Sequence, residues 1–177
     1  AHDEQVLIIK ATMGNRCLGW DLMPPSSRTI PPEEHENQYY QGWQYDIHIR
    51  DIRNVLDNLE RFFPGYNDQG YEIAGFAWWQ GHKDQSTPGH VEDNWAESYE
   101  RYLVDLINDL REECEAPEAP FVLATIAFGG EDIAGSGLTI VNAQLAVDGD
   151  SGEYPAFEGN VASVDARPFW RDASVSP

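Results

Sequence analysis

The chain has 177 residues, which is enough for one domain and too few for two large ones. It carries 31 acidic residues against 11 lysines and arginines, and the resulting net charge of −20 excludes nucleic acid and anionic membrane surfaces as electrostatically attracted partners. Hydrophobic residues make up 41% of the sequence, which predicts a packed core rather than disorder.

The first half of the chain predicts one strand, one long loop and one amphipathic helix. Residues 6–11 (VLIIKA) form a nearly continuous apolar run, typical of a strand that is buried on both faces. Two Pro-Pro pairs within residues 24–32 disfavour both a helix and a central strand, so we expect a long surface loop there. Apolar residues at three- and four-residue spacing then predict a helix over residues 40–63.

The second half of the chain alternates strands with helices. Asn94 is a predicted N-cap, and Glu97 completes a capping box at the start of a helix whose apolar face reaches Leu110. A shorter helix is predicted over residues 139–147. Apolar runs predict three strands, over residues 72–79 (EIAGFAWW), 121–128 (FVLATIAF) and 160–166 (NVASVDA).

This alternation predicts an α/β fold for residues 1–177, read as a single domain. Its architecture would be three layers, α/β/α, with a mostly parallel sheet covered by helices on both faces. Ligands bind such folds at the carboxyl ends of the strands. That rule directs attention to the loops over residues 12–20, 80–90 and 128–136.

The loop after the second predicted strand carries the densest chemical signal. There an apolar and aromatic strand ends abruptly in Gln80-Gly81-His82-Lys83-Asp84. A glycine lets the backbone turn sharply or approach a ligand, and a glutamine amide can donate hydrogen bonds to a developing oxyanion. The alternative is a polar loop that only solvates the edge of the sheet.

Two further motifs favour ordinary structure over chemistry. Residues 149–152 (GDSG) match the letters of two serine-nucleophile segments, but no histidine follows His90, so a surface turn is the better interpretation. Cys17 and Cys114 lie outside any Cys/His cluster, so no structural zinc site is expected, whereas a single disulfide stays possible.

No metal ion or other cofactor is expected. His82 and His90, together with Asp84 and Asp93, match no strong metal-ligand spacing, and a solvated acidic loop explains them better. The chain also has only two lysines, Lys10 and Lys83. A lysine-poor acidic surface is typical of proteins that work at high salt, the alternative being an ordinary acidic protein.

Around Trp78-Trp79-Gln80-Gly81 the chain resembles the sialate O-acetylesterase-like carbohydrate esterases of the SGNH hydrolase superfamily. Residues 6–18 are similar to that family's strand running into Gly-Gly-x-Ser-Leu, and further similar segments follow in the family's order. These cover residues 24–27, 119–122 and 159–161, so the resemblance extends over nearly the whole chain.

The resemblance implies a flavodoxin-like three-layer fold and the hydrolysis of acetyl esters on carbohydrate, without a cofactor. It implies acyl transfer by a serine and a histidine, with Gly14 and Gln80 as the oxyanion donors. It also implies an extracytoplasmic or secreted location. No insertion into a membrane is expected, because no stretch approaches the roughly 18 apolar residues of a membrane span. The implied substrate-binding residues are Asn15, Trp20, Gly81, His82 and Asp84.

The sequence also departs from the family pattern. Nothing in it matches the family's Gly-Gln-Ser-like nucleophile block or its Asp-x-x-His-like block, so we expect an esterase domain incomplete at both ends and inactive alone. His82 stands where many relatives have Glu, and Cys17 where many have Ser.

Two non-enzymatic interpretations stay open beside the esterase. One is a degenerate member that binds glycan through aromatic side chains without chemistry. The other is a ligand-binding domain of the same layered architecture. The aromatic residues of the first interpretation are Trp20, Trp43, Trp78 and Trp79.

Overall fold

Three short parallel strands lie at the centre of the structure, a computed structural model that describes residues 5–89, 91–172 and 174. The strands are β1 (Phe76–Trp78), β2 (Phe121–Ala124) and β3 (Val161–Val164), and they lie side by side in that order. Phe121 pairs with Phe76 on one side and with Val161 on the other. The predicted α/β class and parallel sheet are confirmed.

Within these described residues, four α-helices accompany the sheet: α1 (Trp43–Leu56), α2 (Leu59–Phe62), α3 (Trp95–Glu113) and α4 (Ser136–Ala146). Helices α3 and α4 pack against each other and against one face of the sheet, where Phe121 and Leu123 are buried. Burial of these large apolar side chains is the main favourable term for folding. The helical side chains in this core include Tyr99, Tyr102, Leu103, Leu106, Ile107, Ile140 and Val141.

The opposite face of the sheet is open among the described residues. Neighbouring residues of a strand point to opposite faces, so Val122 and Val164 point away from α3 and α4. Their exposed fractions are 47% and 55%, and Trp79, directly after β1, is 76% exposed. The helices therefore cover one face of the sheet, and the other presents apolar side chains to solvent.

The prediction of a buried strand over residues 6–11 is wrong. This segment forms no strand, and Val6 and Ile8 are 72% and 82% exposed. An apolar run favours burial, but a strand also needs a neighbouring strand to satisfy its main-chain hydrogen bonds. No described strand pairs with this segment.

The helix predicted over residues 40–63 is divided in two. Helix α1 ends at Leu56, and α2 begins at Leu59. Asn58, between them, has a non-helical backbone, and its side-chain amide donates to the carbonyl of Asn54 at 2.8 Å. Asparagine side chains compete in this way with helical hydrogen bonds, which accounts for the break.

The predicted long loop before α1 is fixed to helix α3. Its short 3₁₀ helix over Pro25–Ser27 begins with a proline, and the main-chain nitrogen and hydroxyl of Ser26 both donate to Asp109. The Ser27 hydroxyl donates to Asp105 at 2.6 Å. Two carboxylates of α3 thus hold the loop in place. Within the described part of the chain, no helix has the length and apolar character to span a membrane.

Candidate active site

The three loops that the sequence singled out lie together at the carboxyl ends of the strands. The loop over residues 12–20 reaches the end of β1, where the main-chain oxygen of Arg16 accepts a hydrogen bond from Gln80 Nε2 at 2.8 Å. The loop after β2 reaches the same region, because the rings of Phe128 and His82 lie 4.4 Å apart between centroids. This edge of the sheet is where parallel α/β folds bind ligands.

The side-chain amide of Gln80 is held from both ends. Its Nε2 donates to the Arg16 oxygen and to Asp84 Oδ2, the latter at 2.6 Å. Its Oε1 lies 3.0 Å from the hydroxyl of Tyr99, which donates to it. An amide nitrogen carries two hydrogens, so both donors of Gln80 have acceptors in this arrangement.

Asp84 is a buried carboxyl group that joins two loops. It is 0% exposed, and it accepts hydrogen bonds from the main-chain nitrogens of Leu18 at 3.0 Å and Gly19 at 2.8 Å. Burial raises the pKa of Asp84 to about 6, although the bonds from Gln80, Gly19 and Leu18 act in the opposite direction. Such a shift is common at functional sites and in structural networks alike.

This burial corrects two expectations for Asp84. The loop over residues 80–90 is not uniformly solvated, and Asp84 cannot touch a sugar directly while it is inaccessible. Its carboxylate binds main-chain amides instead, because two free N–H groups of the loop at Leu18 and Gly19 need an acceptor in the interior.

Behind Gln80, two fully buried polar side chains fix the backbone. Gln144 of α4 donates from Nε2 to the main-chain oxygen of Gln80 at 2.7 Å and accepts from the nitrogen of Ile126 at 2.9 Å. The Tyr99 hydroxyl lies 2.9 Å from the same Gln80 oxygen, and burial raises the pKa of Tyr99. The sequence interpretation missed Gln144, whose signal was a glutamine three and four residues after Val141 and Ile140, on the apolar side of the helix.

Gly81 allows the strand to turn into this network. Its φ is +147°, and a Cβ there would lie 3.0 Å from both Ile126 Cγ2 and Ile140 Cγ2. Any side chain would have to displace the core at this point. The role of Gly81 beside the substrate stays a prediction. The packing itself favours glycine at this position, because a Cβ would crowd two isoleucine side chains of the core.

A second carboxylate, Asp21, organises the loop on the other side of Asp84. It accepts from Arg16 Nη1 at 3.3 Å, from the main-chain nitrogen of Cys17 at 3.1 Å and from Trp43 Nε1 at 3.0 Å. The Cys17 thiol is buried and also donates to Asp21. Burial is the largest cause of the raised pKa of Cys17, so its thiol is not a nucleophile near neutral pH.

The remaining predicted site residues occupy the rim. Gly14 and Asn15 form an exposed turn, with Asn15 at φ 60°, and the chain returns to Gln80 at Arg16. Trp20 is partly buried, and its Nε1 donates to the main-chain oxygen of Tyr39 at 3.0 Å. The roles given to Gly14, Asn15 and Trp20 stay predictions.

His82 belongs to an exposed cluster of rings that the sequence did not reveal. Phe128 lies 4.4 Å from His82 and 5.4 Å from Trp170, measured between ring centroids. Phe128 is 49% exposed and Trp170 is 40% exposed. Each ring comes from the loop after a different strand, so only the tertiary structure brings them together.

The other sequence motifs take no part in a reactive cluster. The Ser151 hydroxyl donates to the main-chain oxygen of Ala146 at 2.7 Å, within a short 3₁₀ turn, and the two thiols are free. Over residues 5–89, 91–172 and 174 no group of three metal-ligating side chains occurs, and no serine hydroxyl bonds to a histidine. His90, named above with His82, lies outside the described residues.

A comparison with protein-family models shows which family the chain belongs to. Residues 33–156 match the family of carbohydrate esterases described as sialic acid-specific acetylesterases. The chain belongs to this family. The matched residues include Gln80, Asp84 and the whole of α3, whereas the network's partners Arg16, Leu18 and Gly19 precede the matched region.

Among solved structures, the chain is similar to a protein from Arabidopsis thaliana with 26% identity. The similarity covers 74% of this chain and 43% of that one, with a TM-score of 0.48. The chain therefore spans less than half the length of that relative. No protein of curated function matches it significantly.

Proposed function

We propose that this protein acts as a hydrolase that removes O-acetyl groups from carbohydrate by acyl transfer. The observation that carries the proposal is the fixed amide of Gln80 at the carboxyl end of β1, held by Asp84 beside the loop over residues 12–20. Membership of a carbohydrate esterase family supports it. Gln80 and Gly14 would stabilise the tetrahedral oxyanion of this reaction.

The proposed reaction has two steps. A serine hydroxyl attacks the acetyl carbonyl carbon while a histidine accepts its proton, and the tetrahedral oxyanion collapses with release of the sugar hydroxyl, which takes that proton. Water then hydrolyses the acetyl-serine and releases acetate. Donors aimed at the oxyanion lower both barriers, because they meet charge that is absent from the ground state.

Gln80 can serve as such a donor only if one of its two existing bonds gives way. The bond to the Arg16 carbonyl is made to a neutral acceptor, whereas the bond to the carboxyl group of Asp84 is shorter, 2.6 Å against 2.8 Å. We propose that the N–H on the Arg16 side turns to the oxyanion while Asp84 keeps the amide oriented. The main-chain nitrogen of Gly14 would supply the second donor from the exposed turn.

The test compares acetate release by the full-length gene product and its Gln80→Ala variant on O-acetylated carbohydrate. Loss of one oxyanion donor lowers kcat by about 10²- to 10³-fold and leaves KM nearly unchanged. Gln69→Ala, at an exposed loop position, serves as the matched control and should keep full activity. Full activity of the Gln80 variant would contradict the assigned role.

The second candidate is a glycan-binding protein without chemistry. It is favoured by the occupied donors of Gln80 and by the lack of a serine–histidine bond over the part of the chain that the structure describes. Full-length protein that binds acetylated carbohydrate but releases no acetate from it would establish this candidate over the hydrolase. The chain alone is expected not to turn over 4-nitrophenyl acetate.

A further inference from the structure

The exposed rings of His82, Phe128 and Trp170, called here the aromatic platform, lie in the loops after the three strands, at the edge of the sheet that carries Gln80. His82 follows Gln80 by two positions, and its side chain is exposed. Phe128 follows Ile126 by two positions, and Ile126 is joined to Gln80 through the buried side chain of Gln144. The platform is therefore positioned relative to Gln80 by buried hydrogen bonds rather than by loop contacts alone.

Neighbouring residues hold Trp170 of the platform in position. Trp170 packs against Gly130, where a Cβ would lie 3.3 Å from Trp170 Cδ1 and where φ is +59°. Arg167, three residues before Trp170, pairs with Asp165 at 2.6 Å and holds the segment that follows β3. Because Gly130 has no side chain, the Trp170 ring fits beside it, and the ring centroid lies 5.4 Å from that of Phe128.

We propose that the aromatic platform stacks against a pyranose ring of a neutral O-acetylated carbohydrate and so determines which sugar reaches Gln80. Sugar rings have apolar C–H faces, and partly exposed aromatic rings are the side chains that pack against them. The inference rests on the proposed function, and it names the residues that recognise the carbohydrate part of that substrate.

The choice of a neutral sugar follows from charge. The chain carries a net charge of −20, which repels an anionic sugar at a distance. The cations closest to the platform in the sequence are Lys83, Arg171 and Arg167. The guanidinium of Arg167 is already paired with Asp165 and bonds to it through both Nε and Nη2. A carboxylate on the sugar would have to compete with Asp165 for this cation.

Binding to the protein is measured by isothermal titration calorimetry with partially O-acetylated xylo-oligosaccharides as the neutral probe. Phe128→Ala and Trp170→Ala should each weaken binding by about tenfold or more, because each removes one stacking face. Phe62→Ala is the matched control: Phe62 is 43% exposed, close to the 49% of Phe128, but it lies on α2. Its affinity should equal that of the wild type.

Conservative variants separate stacking from folding. Trp170→Phe keeps an aromatic face and should retain most of the affinity, whereas Phe128→Leu keeps apolar bulk without a ring and should lose it. Urea unfolding checks that each variant is folded. Wild-type protein that fails to bind, or folded Phe128→Leu and Trp170→Ala variants that bind like the wild type, would overturn the platform.

Two further outcomes distinguish this inference from the proposed function. Tighter binding of 9-O-acetyl-N-acetylneuraminic acid than of the neutral probe would overturn the preference for an uncharged sugar. Platform-dependent binding by full-length protein that releases no acetate would leave the inference standing and contradict the hydrolase. Acetate release with an unchanged KM in the Phe128 and Trp170 variants would support the hydrolase and contradict the role of the aromatic platform.

Discussion

At the scale of single residues, Asp84 connects the site to the core. The sequence placed it near Gln80, but as a residue that touches the sugar. The structure places its carboxyl group out of reach of solvent, with two main-chain nitrogens and the Gln80 amide as donors. A buried carboxylate that loses its partners costs far more than an exposed one, so Asp84 acts by holding other groups in position.

Stability should depend on pH through Asp84 in a direction opposite to that of most carboxylates. Burial raises its pKa from 3.8 to about 6, so between these values the folded protein keeps a proton that the unfolded chain has lost. Its contribution to the free energy of unfolding is therefore fully present below about pH 4 and falls by about 3 kcal/mol as the pH rises to about 7.

The measurement is urea unfolding of the wild type and of Asp84→Asn at several pH values, because asparagine does not titrate. The difference in unfolding free energy, wild type minus variant, should decrease as the pH rises from about 4 to about 7. Asp150→Asn, at an exposed position, controls for the loss of one negative charge. A difference that increases over this range would show that the hydrogen bonds outweigh burial.

At the scale of elements, the start of helix α3 shows which part of a capping pattern the sequence predicts correctly. Asn94 was predicted as the N-cap, and its Oδ1 accepts from the nitrogens of Ala96 at 3.1 Å and Glu97 at 3.4 Å. The cap depends only on residues within one turn, so the sequence contains all the information. The return bond from the Glu97 side chain, which would complete the capping box, is not among the bonds of the described residues.

Unequal effects are therefore expected at the two ends of the predicted capping box. Asn94→Ala should lower the free energy of unfolding by about 1 kcal/mol, since two main-chain donors lose their acceptor. Glu97→Ala should change it by less than about 0.5 kcal/mol. Both values are measured by urea unfolding, and a loss for Glu97→Ala as large as that for Asn94→Ala would mean that the reciprocal bond forms in solution.

Strands were harder to predict than the cap, for a physical reason. The segments over residues 72–79, 121–128 and 160–166 each contain a strand, but only three or four residues of each segment pair. The equally apolar segment over residues 6–11 forms no strand. Apolar composition is a local property, whereas pairing requires a neighbouring strand that the local sequence does not describe.

At the scale of the whole molecule, the charge of −20 opposes compaction. Raising the NaCl concentration from about 0.1 M to about 2 M should raise the urea midpoint of unfolding, because screening weakens repulsion among exposed carboxylates. A variant with several exposed glutamates replaced by glutamine should show a smaller rise. Equal rises in both proteins would attribute the effect to salt acting on apolar surface instead.

Sequence alone determined the α/β alternation, the parallel sheet, the edge at which the loops meet and the family. These follow from periodicity, from caps and from short motifs, each set by residues close together in the chain. The tertiary structure decided that Asp84 is buried, that both Gln80 donors are engaged and that Phe128 meets His82 and Trp170. Asp84 bonds to Leu18 across 66 residues of chain, and no local pattern encodes a contact whose partner is that distant.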